Sequence, residues 1–329
     1  MIARPSRRQI LRHGAAAVAA VVAAPAIAEA PWPARPIKIV CSYPPGGLTD
    51  VFARAYGDFI AQKTGQTVVV ENKTGAGGAI GAEQVKNAPA DGYTLLWTNS
   101  TTMIQNKVLF KRLPYDPDRD FALVSWMNAG HLPTILNKNV PATNVAEFAD
   151  YARKNKVSMA TYGAGSFSHI VTEMLNQHYG LTMEAVHYRG EGAMWQDVAS
   201  GAVQGASGSY FSAAAVLQTG AGRAIAVPTM VRAKKLPDVP TFYEQGLTEK
   251  AFQVRGWVGA VAPSGVSDEI VQKLSDLCVE GGRTERVQKI NETFGIDESA
   301  RDRVYFRKVM DEEGPVMIEV VKSLKIEPA

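Results

Sequence analysis

The sequence predicts an α/β protein whose parallel sheets are divided between two lobes, and three observations carry that expectation. Strand-like and helix-like segments alternate along most of the chain, the pattern of parallel strands joined by crossover helices. The chain beyond residue 30 is longer than a single core usually grows, so two cores are expected. Strand-to-helix loops rich in Gly, Ser or Thr recur in both halves, at 43–50, 74–81 and 163–169. In open parallel sheets ligands bind beyond the carboxyl ends of the strands, where the first N–H groups of each helix lack partners and its dipole is positive.

Taken in order, residues 1–30 are set aside as an export signal. Arg4, Arg7, Arg8 and Arg12 precede the apolar Ala15–Ala24, and Pro25-Ala26-Ile27-Ala28-Glu29-Ala30 offers cleavage after Ala28 or Ala30. The stretch "SRRQILR" looks like a twin-arginine signal, and the apolar run is too short for a permanent span. The whole chain has 35 basic and 32 acidic residues; removing four Arg and Glu29 leaves 31 of each in residues 31–329. The remaining chain is neutral, which argues against nucleic acid or an anionic membrane surface as partner.

Ile37–Cys41 reads as a strand, "SYPPGGLTD" as a tight loop, and Phe52, Ala55, Tyr56, Phe59 and Ile60 as one face of a helix with Asp50 as its cap. Val68–Glu71 is a second strand, followed by the glycine loop of "TGAGGAIGAEQVKNA" and a helix; Thr94–Thr98 is a third. A second series begins near Val157: strand "VSMATY", loop "GAGSFSH", and helix Ile170–His178 with Ile170, Met174 and Leu175 on one face. Strand "EAVHY", loop "RGEG", helix Met194–Ala199, strand "VQGAS", a further helix and strand "RAIAVPTM" follow. The C-terminal part is helical, with Ile270, Val271, Leu274, Leu277 and Cys278 as an apolar stripe.

Enzyme motifs fit poorly. "GAGGAIG" has Ile80 where a dinucleotide fingerprint needs its third glycine, and the next strand ends in "TNS" in place of an acid. There is no P-loop and no G-x-S-x-G elbow. Ser166 and His169 could form a hydrolase pair only with an orienting acid that the sequence does not place, so a cap and a polar contact are expected there. Cys41 and Cys278 are expected as free buried thiols, no Cys/His spacing suggests a metal, and no cofactor is expected.

"YPPGGLTD", "GQTVVVENKTGAGGAIGAEQV", "APADGYTLL", "LPYDPDRDF", "GAGSFSH", "VHYRGEGAMWQDVASGAVQG" and "LPDVPTFYEQG" occur in the order found in one family. From about Pro36 onward the chain resembles the tripartite tricarboxylate transporter substrate-binding proteins, the Bug family. The resemblance implies a periplasmic-binding-protein-like (Venus flytrap) fold, with lobe 1 from 31–130 plus 257–329 and lobe 2 from 131–256. The crossings fall near His131-Leu132-Pro133 and Arg255-Gly256-Trp257. It implies a monomeric, periplasmic, non-enzymatic protein that captures a small organic acid for a membrane transporter or, alternatively, a sensor ectodomain. Tyr43, Pro45, Gly47 and Thr49 would form one wall of the ligand site, Gly77 and Gly78 its floor, and Asn99 and Ser100 its border. Gly163, Gly165, Ser166, Ser168 and His169 would form the opposite wall, with Arg189 at the rim. Two departures stand out. Many relatives carry an Asp where this chain has Gly208, followed by Ser209 and Tyr210, and Cys41-Ser42 replaces an apolar residue and Pro. The missing acid suggests a ligand without an amino group, a dicarboxylate or an aromatic acid stacked by Tyr210 or Phe211.

Overall fold

The computed structural model describes residues 31–188, 190–253, 256–323 and 327–328; the expected export signal, Arg189 and Arg255 lie outside them. Residues Arg35–Ala329 form one compact unit.

A strand with no polar face needs cover on both sides. β1 (Ile37–Cys41), in which four of five residues are buried, receives it as an inner strand between β2 (Val68–Asn72) and β3 (Thr94–Asn99), parallel to both. The first sheet is completed by β4 (Phe121–Asn128) and β10 (Trp257–Pro263), in the order β2-β1-β3-β10-β4. The second sheet holds β5 (Thr134–Asn137), β6 (Ser158–Thr161), β7 (Glu184–His187), β8 (Gly205–Ser207) and β9 (Gly222–Ala226), in the order β7-β6-β8-β5-β9. The molecule is therefore two-lobed α/β, each sheet built on three parallel strands. Neither sheet is purely parallel: β10 runs antiparallel to β3 and β4, and β5 antiparallel to β8 and β9. The mixture has a topological cause, since β10 and β5 are where the chain re-enters the first sheet and first enters the second.

The two passages between sheets lie side by side. Asn128 pairs in register with Trp257, and the Ala129 N–H donates to the Gly256 carbonyl at 3.3 Å. Helices start at the carboxyl ends of parallel strands: α1 (Leu48–Thr64) after β1, α5 (Phe167–Tyr179) after β6 and α6 (Glu191–Ser200) after β7. Between β2 and β3 lie a left-handed turn at Ala76–Gly78 and α2 (Ala79–Lys86). The stretch 101–156, which the alternation leaves unassigned, holds a π-turn (Thr101–Gln105), α3 (Asn106–Leu109), β4, β5 and α4 (Val145–Lys154). α7 (Tyr210–Gln218) follows β8, and α8 (Asp268–Gly281), α9 (Glu285–Phe294) and α10 (Arg303–Ser323) close the chain.

Phe52, Tyr56 and Ile60 of α1 are buried, with Tyr56 packing edge-on to Phe52 and tilted on Trp97 of β3. In the second lobe Ile135, Ala160 and Ala206 of the sheet pack with Met194, Trp195 and Val198 of α6. Cys41 and Cys278 are both buried and unpaired, their thiols pushed up to about 11 and about 12 by burial. No helix among the described residues is long and apolar enough to cross a membrane.

Candidate functional site

The prolines and glycines between β1 and α1 let the chain turn in a few residues and send Tyr43 toward the neighbouring strand ends. Its hydroxyl donates to Asn99 Oδ1 at 2.7 Å and lies 3.2 Å from the Gly77 carbonyl and 3.1 Å from Thr102 Oγ1. The Gly77 carbonyl is held further by Thr102 Oγ1 at 2.9 Å and by Asn106 Nδ2 at 3.0 Å, and Tyr115 donates to the Thr102 carbonyl at 2.6 Å. With that carbonyl tied from the protein side, the left-handed turn has a fixed orientation. Gly78 needs its glycine twice over: its φ is +86°, and an added Cβ would stand 2.2 Å from Thr102 Oγ1. Asn99 Oδ1 also accepts from the Thr101 N–H at 3.0 Å, which turns its Nδ2 away from both donors. Burial pushes the Tyr43 phenol up to about 12, so it stays a protonated donor at neutral pH.

Asp50 is not the helix cap. Gly47 precedes α1 without any side-chain acceptor, and Asp50 in the first turn reaches back instead. Its carboxylate accepts from the Gly46 N–H at 3.0 Å, Asn72 Nδ2 at 2.8 Å and Arg54 Nε at 3.1 Å. Asn72 Nδ2 in turn donates to the Tyr43 carbonyl at 2.9 Å. The carboxylate is spent on the loop, while the start of α1 keeps uncapped N–H groups and a positive dipole end. Pro45 and Gly47 are exposed on the crest of this loop; Thr49 and Ser100 are buried behind it. Ser42 Oγ bonds Thr98 Oγ1 at 2.8 Å, and its Cβ would lie 3.0 Å from a Cβ on Gly81, so a small residue fits at 42.

The facing wall starts where β6 ends. Ser166 caps α5, its Oγ accepting from the His169 N–H at 3.5 Å and lying 3.0 Å from Ser168 Oγ. His169 Nδ1 accepts from the Gly165 N–H at 3.0 Å, which fixes the neutral ring with its proton on Nε2. Burial, with the His187 ring 4.8 Å away edge-on, pushes His169 down to about 4. Among the described residues the imidazole bonds the Gly165 N–H and makes no hydrogen bond to Ser166 Oγ, which is engaged by the His169 N–H and Ser168 Oγ. Gly163 adopts φ +142° in the turn, and Gly165 packs so that an added Cβ would stand 2.5 Å from Leu109 of α3. The loop after β6 therefore touches the elements of the first sheet.

Tyr162 belongs to this site and escaped the sequence reading. Burial pushes its phenol far up, helped by the charge of Glu191, and its backbone N–H donates to Ser168 Oγ at 3.2 Å. The signal was available: Tyr43, Tyr162 and Tyr188 each follow a parallel strand by one or two residues. Thr102, Asn106 and Tyr115 were missed as well, because they act on Gly77 from a segment with no glycine loop of its own.

The third region departs most from expectation. Gly208 carries no acid, yet an added Cβ there would lie 3.4 Å from the Glu191 carboxyl carbon and 2.9 Å from the Trp195 ring. Glu191, in the first turn of α6, accepts from the Ser209 N–H at 3.1 and 3.2 Å, Ser209 Oγ at 2.5 Å and Trp195 Nε1 at 3.3 Å. A carboxylate from α6 thus stands beside Gly208. Phe211 stacks one ring face on Phe294 at 4.3 Å and is 42% exposed, and Tyr210, half-buried, lies against Gly295 with its N–H donating to the His131 carbonyl at 3.3 Å.

A family model described as the tripartite tricarboxylate transporter family receptor matches residues 52–325. A Pseudomonas sp. (strain P51) protein named for the tcbD-tcbE intergenic region is 35% identical over 251 residues, 74% of this chain and 73% of that one. BugT of Bordetella pertussis is 32% identical, over 77% of this chain and 78% of its own. Among solved structures, a Rhodopseudomonas palustris protein with adipate superposes with a TM-score of 0.80 at 27% identity, covering 91% of this chain and all of that one. A second protein of that organism, MatC with bound malate, gives 0.74 at 29% identity over 88% of this chain and all of its own.

Proposed function

Since the chain belongs to the tripartite tricarboxylate transporter receptor family, we propose that it is an exported periplasmic receptor that closes on a small organic carboxylate and hands it, as a monomer and unchanged, to a membrane transporter of the tripartite type. The observation that carries the proposal is the pair of facing helix starts. α1 begins at Gly47 with no side-chain cap, α5 begins at Ser166 and Ser168, and Tyr43 and Tyr162 stand beside them as protonated phenols. Such a place stabilises a carboxylate with oriented N–H and O–H dipoles and no salt bridge. Arg54, in the helix that follows the first loop, is paired with Asp50 at 2.9 Å. The solved relatives carrying adipate and malate support the ligand class. Ligand preference is the finer part of the proposal. An organic acid remains favoured, but the expected second-carboxylate end loses its premise once Glu191 is seen beside Gly208.

A thermal-shift screen of mono-, di-, hydroxy- and aromatic carboxylates is the test, because a ligand selective for the folded state raises its melting temperature. At least one acid should raise it in a saturable way and be recovered intact. If none does, or if the acid is converted, the receptor reading fails.

A further inference from the structure

We propose that Glu191 sets the polarity of the ligand's far end, so that the preferred ligand is a monocarboxylate bearing a hydroxyl or ammonium donor at its other end and not a dicarboxylate. The inference rests on the carboxylate-receptor reading above and deepens it. Unlike α1, α7 has its start closed by the chain itself: Ser209 Oγ accepts from the Ser212 N–H at 3.3 Å, and the Tyr210 N–H donates to the His131 carbonyl at 3.3 Å. Glu191 occupies that place with the chain's own carboxylate, taking both the N–H and the hydroxyl of Ser209. Its oxygens are used unequally. Oε2 accepts from Ser209 Oγ, Ser209 N and Trp195 Nε1, while among the described residues Oε1 accepts only from the Ser209 N–H at 3.1 Å. A carboxylate can accept about four hydrogen bonds, so Oε1 retains capacity for a donor.

The carboxylate is held in place from several sides. Trp195 and Met194 are buried beneath it, and Gly208 leaves the space its carboxyl group fills. Its link to the anion-binding wall is the sheet itself: β6 lies between β7 and β8 and parallel to both, so α5, α6 and α7 start at the same carboxyl ends, and the charge of Glu191 helps to raise the Tyr162 phenol there. A ligand reaching from Ser166 past Tyr162 therefore meets hydroxyls and N–H donors at one end and a fixed negative charge at the other. A second carboxylate at that charge would be repelled, whereas a hydroxyl or ammonium would be bonded.

The test is titration calorimetry of the mature protein with butyrate, succinate, 4-hydroxybutyrate and 4-aminobutyrate, and with the six-carbon set hexanoate, adipate, 6-hydroxyhexanoate and 6-aminohexanoate. Within the set of fitting length, the donor-bearing acids should bind at least about tenfold tighter than the dicarboxylate. Glu191→Gln should shrink that ratio about tenfold or more. Glu191→Ala, which uncovers the Ser209 N–H, should raise dicarboxylate affinity while lowering that of the hydroxy acid, a gain that mere structural damage would not produce. Dicarboxylates binding tighter in the wild type, with a ratio unmoved by either variant, would overturn this inference and leave the receptor reading standing. No binding by any acid of either set, together with a failed thermal-shift screen, would overturn both.

Discussion

A single glycine can be required for room, for backbone conformation or for both, and the site contains clean examples of each case. Gly46 and Gly78 have nearly the same φ, +83° and +86°, but a Cβ on Gly46 meets nothing within 4 Å whereas one on Gly78 meets Thr102 Oγ1 at 2.2 Å. Gly46→Ala should cost only the left-handed strain, about 1–2 kcal/mol. Gly78→Ala should cost about 2–4 kcal/mol, because overpacking adds to the same strain. Urea unfolding of the two variants measures the difference, and equal losses would mean that Thr102 yields. His169 makes a second residue-scale prediction. Its folded pKa, about 4, lies below the 6.5 of the free side chain because burial, and secondarily His187, disfavours the charged ring. The unfolded chain then binds the extra proton between pH 6.5 and 4, so stability is fully present above 6.5 and falls as pH drops through that window. His169→Asn, whose Oδ1 can accept from Gly165 in place of Nδ1, should flatten that part of the melting-temperature profile. An unchanged slope would assign it to other groups.

At the scale of elements, the loop before α1 is ordered by a helix residue and not by its own turn chemistry. Asp50 ties Gly46, Asn72 and Arg54 together, and Asn72 ties Tyr43. Asp50→Ala should remove about 1–3 kcal/mol of stability by stranding those donors. It should also weaken carboxylate binding, because the loop must then be ordered at the ligand's expense. Calorimetry against a carboxylate found in the thermal screen checks this; full affinity in the variant would mean the prolines alone hold the loop. The same region marks what was legible in the sequence. β1, β2 and β6 were readable because short apolar runs end in glycine-rich loops, and a loop that turns sharply must announce itself in Gly and Pro. Ser166 was legible as a cap because caps are local. Glu191 was not, because its partners Ser209 and Trp195 come together through the packing of α6 on the start of α7, and no spacing records that. The stacking of Phe211 on Phe294 was not legible for the same reason: its partner belongs to an element eighty residues away.

For the whole molecule, the question is what resists or permits movement of one lobe on the other. The paired passages at Asn128–Ala129 and Gly256–Trp257 form one connection. α10 forms another: Met317 accepts from Gln105 Nε2 at 3.4 Å, and the Ser323 carbonyl accepts from Gln177 of α5 at 3.2 Å. The buried cluster is continuous across them, joining Val40 and Leu96 of the first sheet to Met159 of the second and to Met317 and Val321 of α10. A connection of this size favours a hinge of small amplitude, with closure read out where the loops meet, at Gly165 against Leu109. If Gly165 acted only as part of the expected ligand wall, a side chain there would obstruct the ligand's approach to the backbone. The 2.5 Å separation from Leu109 Cδ1 gives a different cause: a wedge between lobes. The two causes separate in a double-mutant cycle, because Leu109→Ala makes room for the wedge but does nothing for the φ of +70° or for the ligand's path. Gly165→Val should weaken carboxylate binding strongly in the wild-type background and by at least about 1 kcal/mol less in the Leu109→Ala background. Equal losses in both would place the obstruction at the ligand and return Gly165 to the role its sequence context first implied.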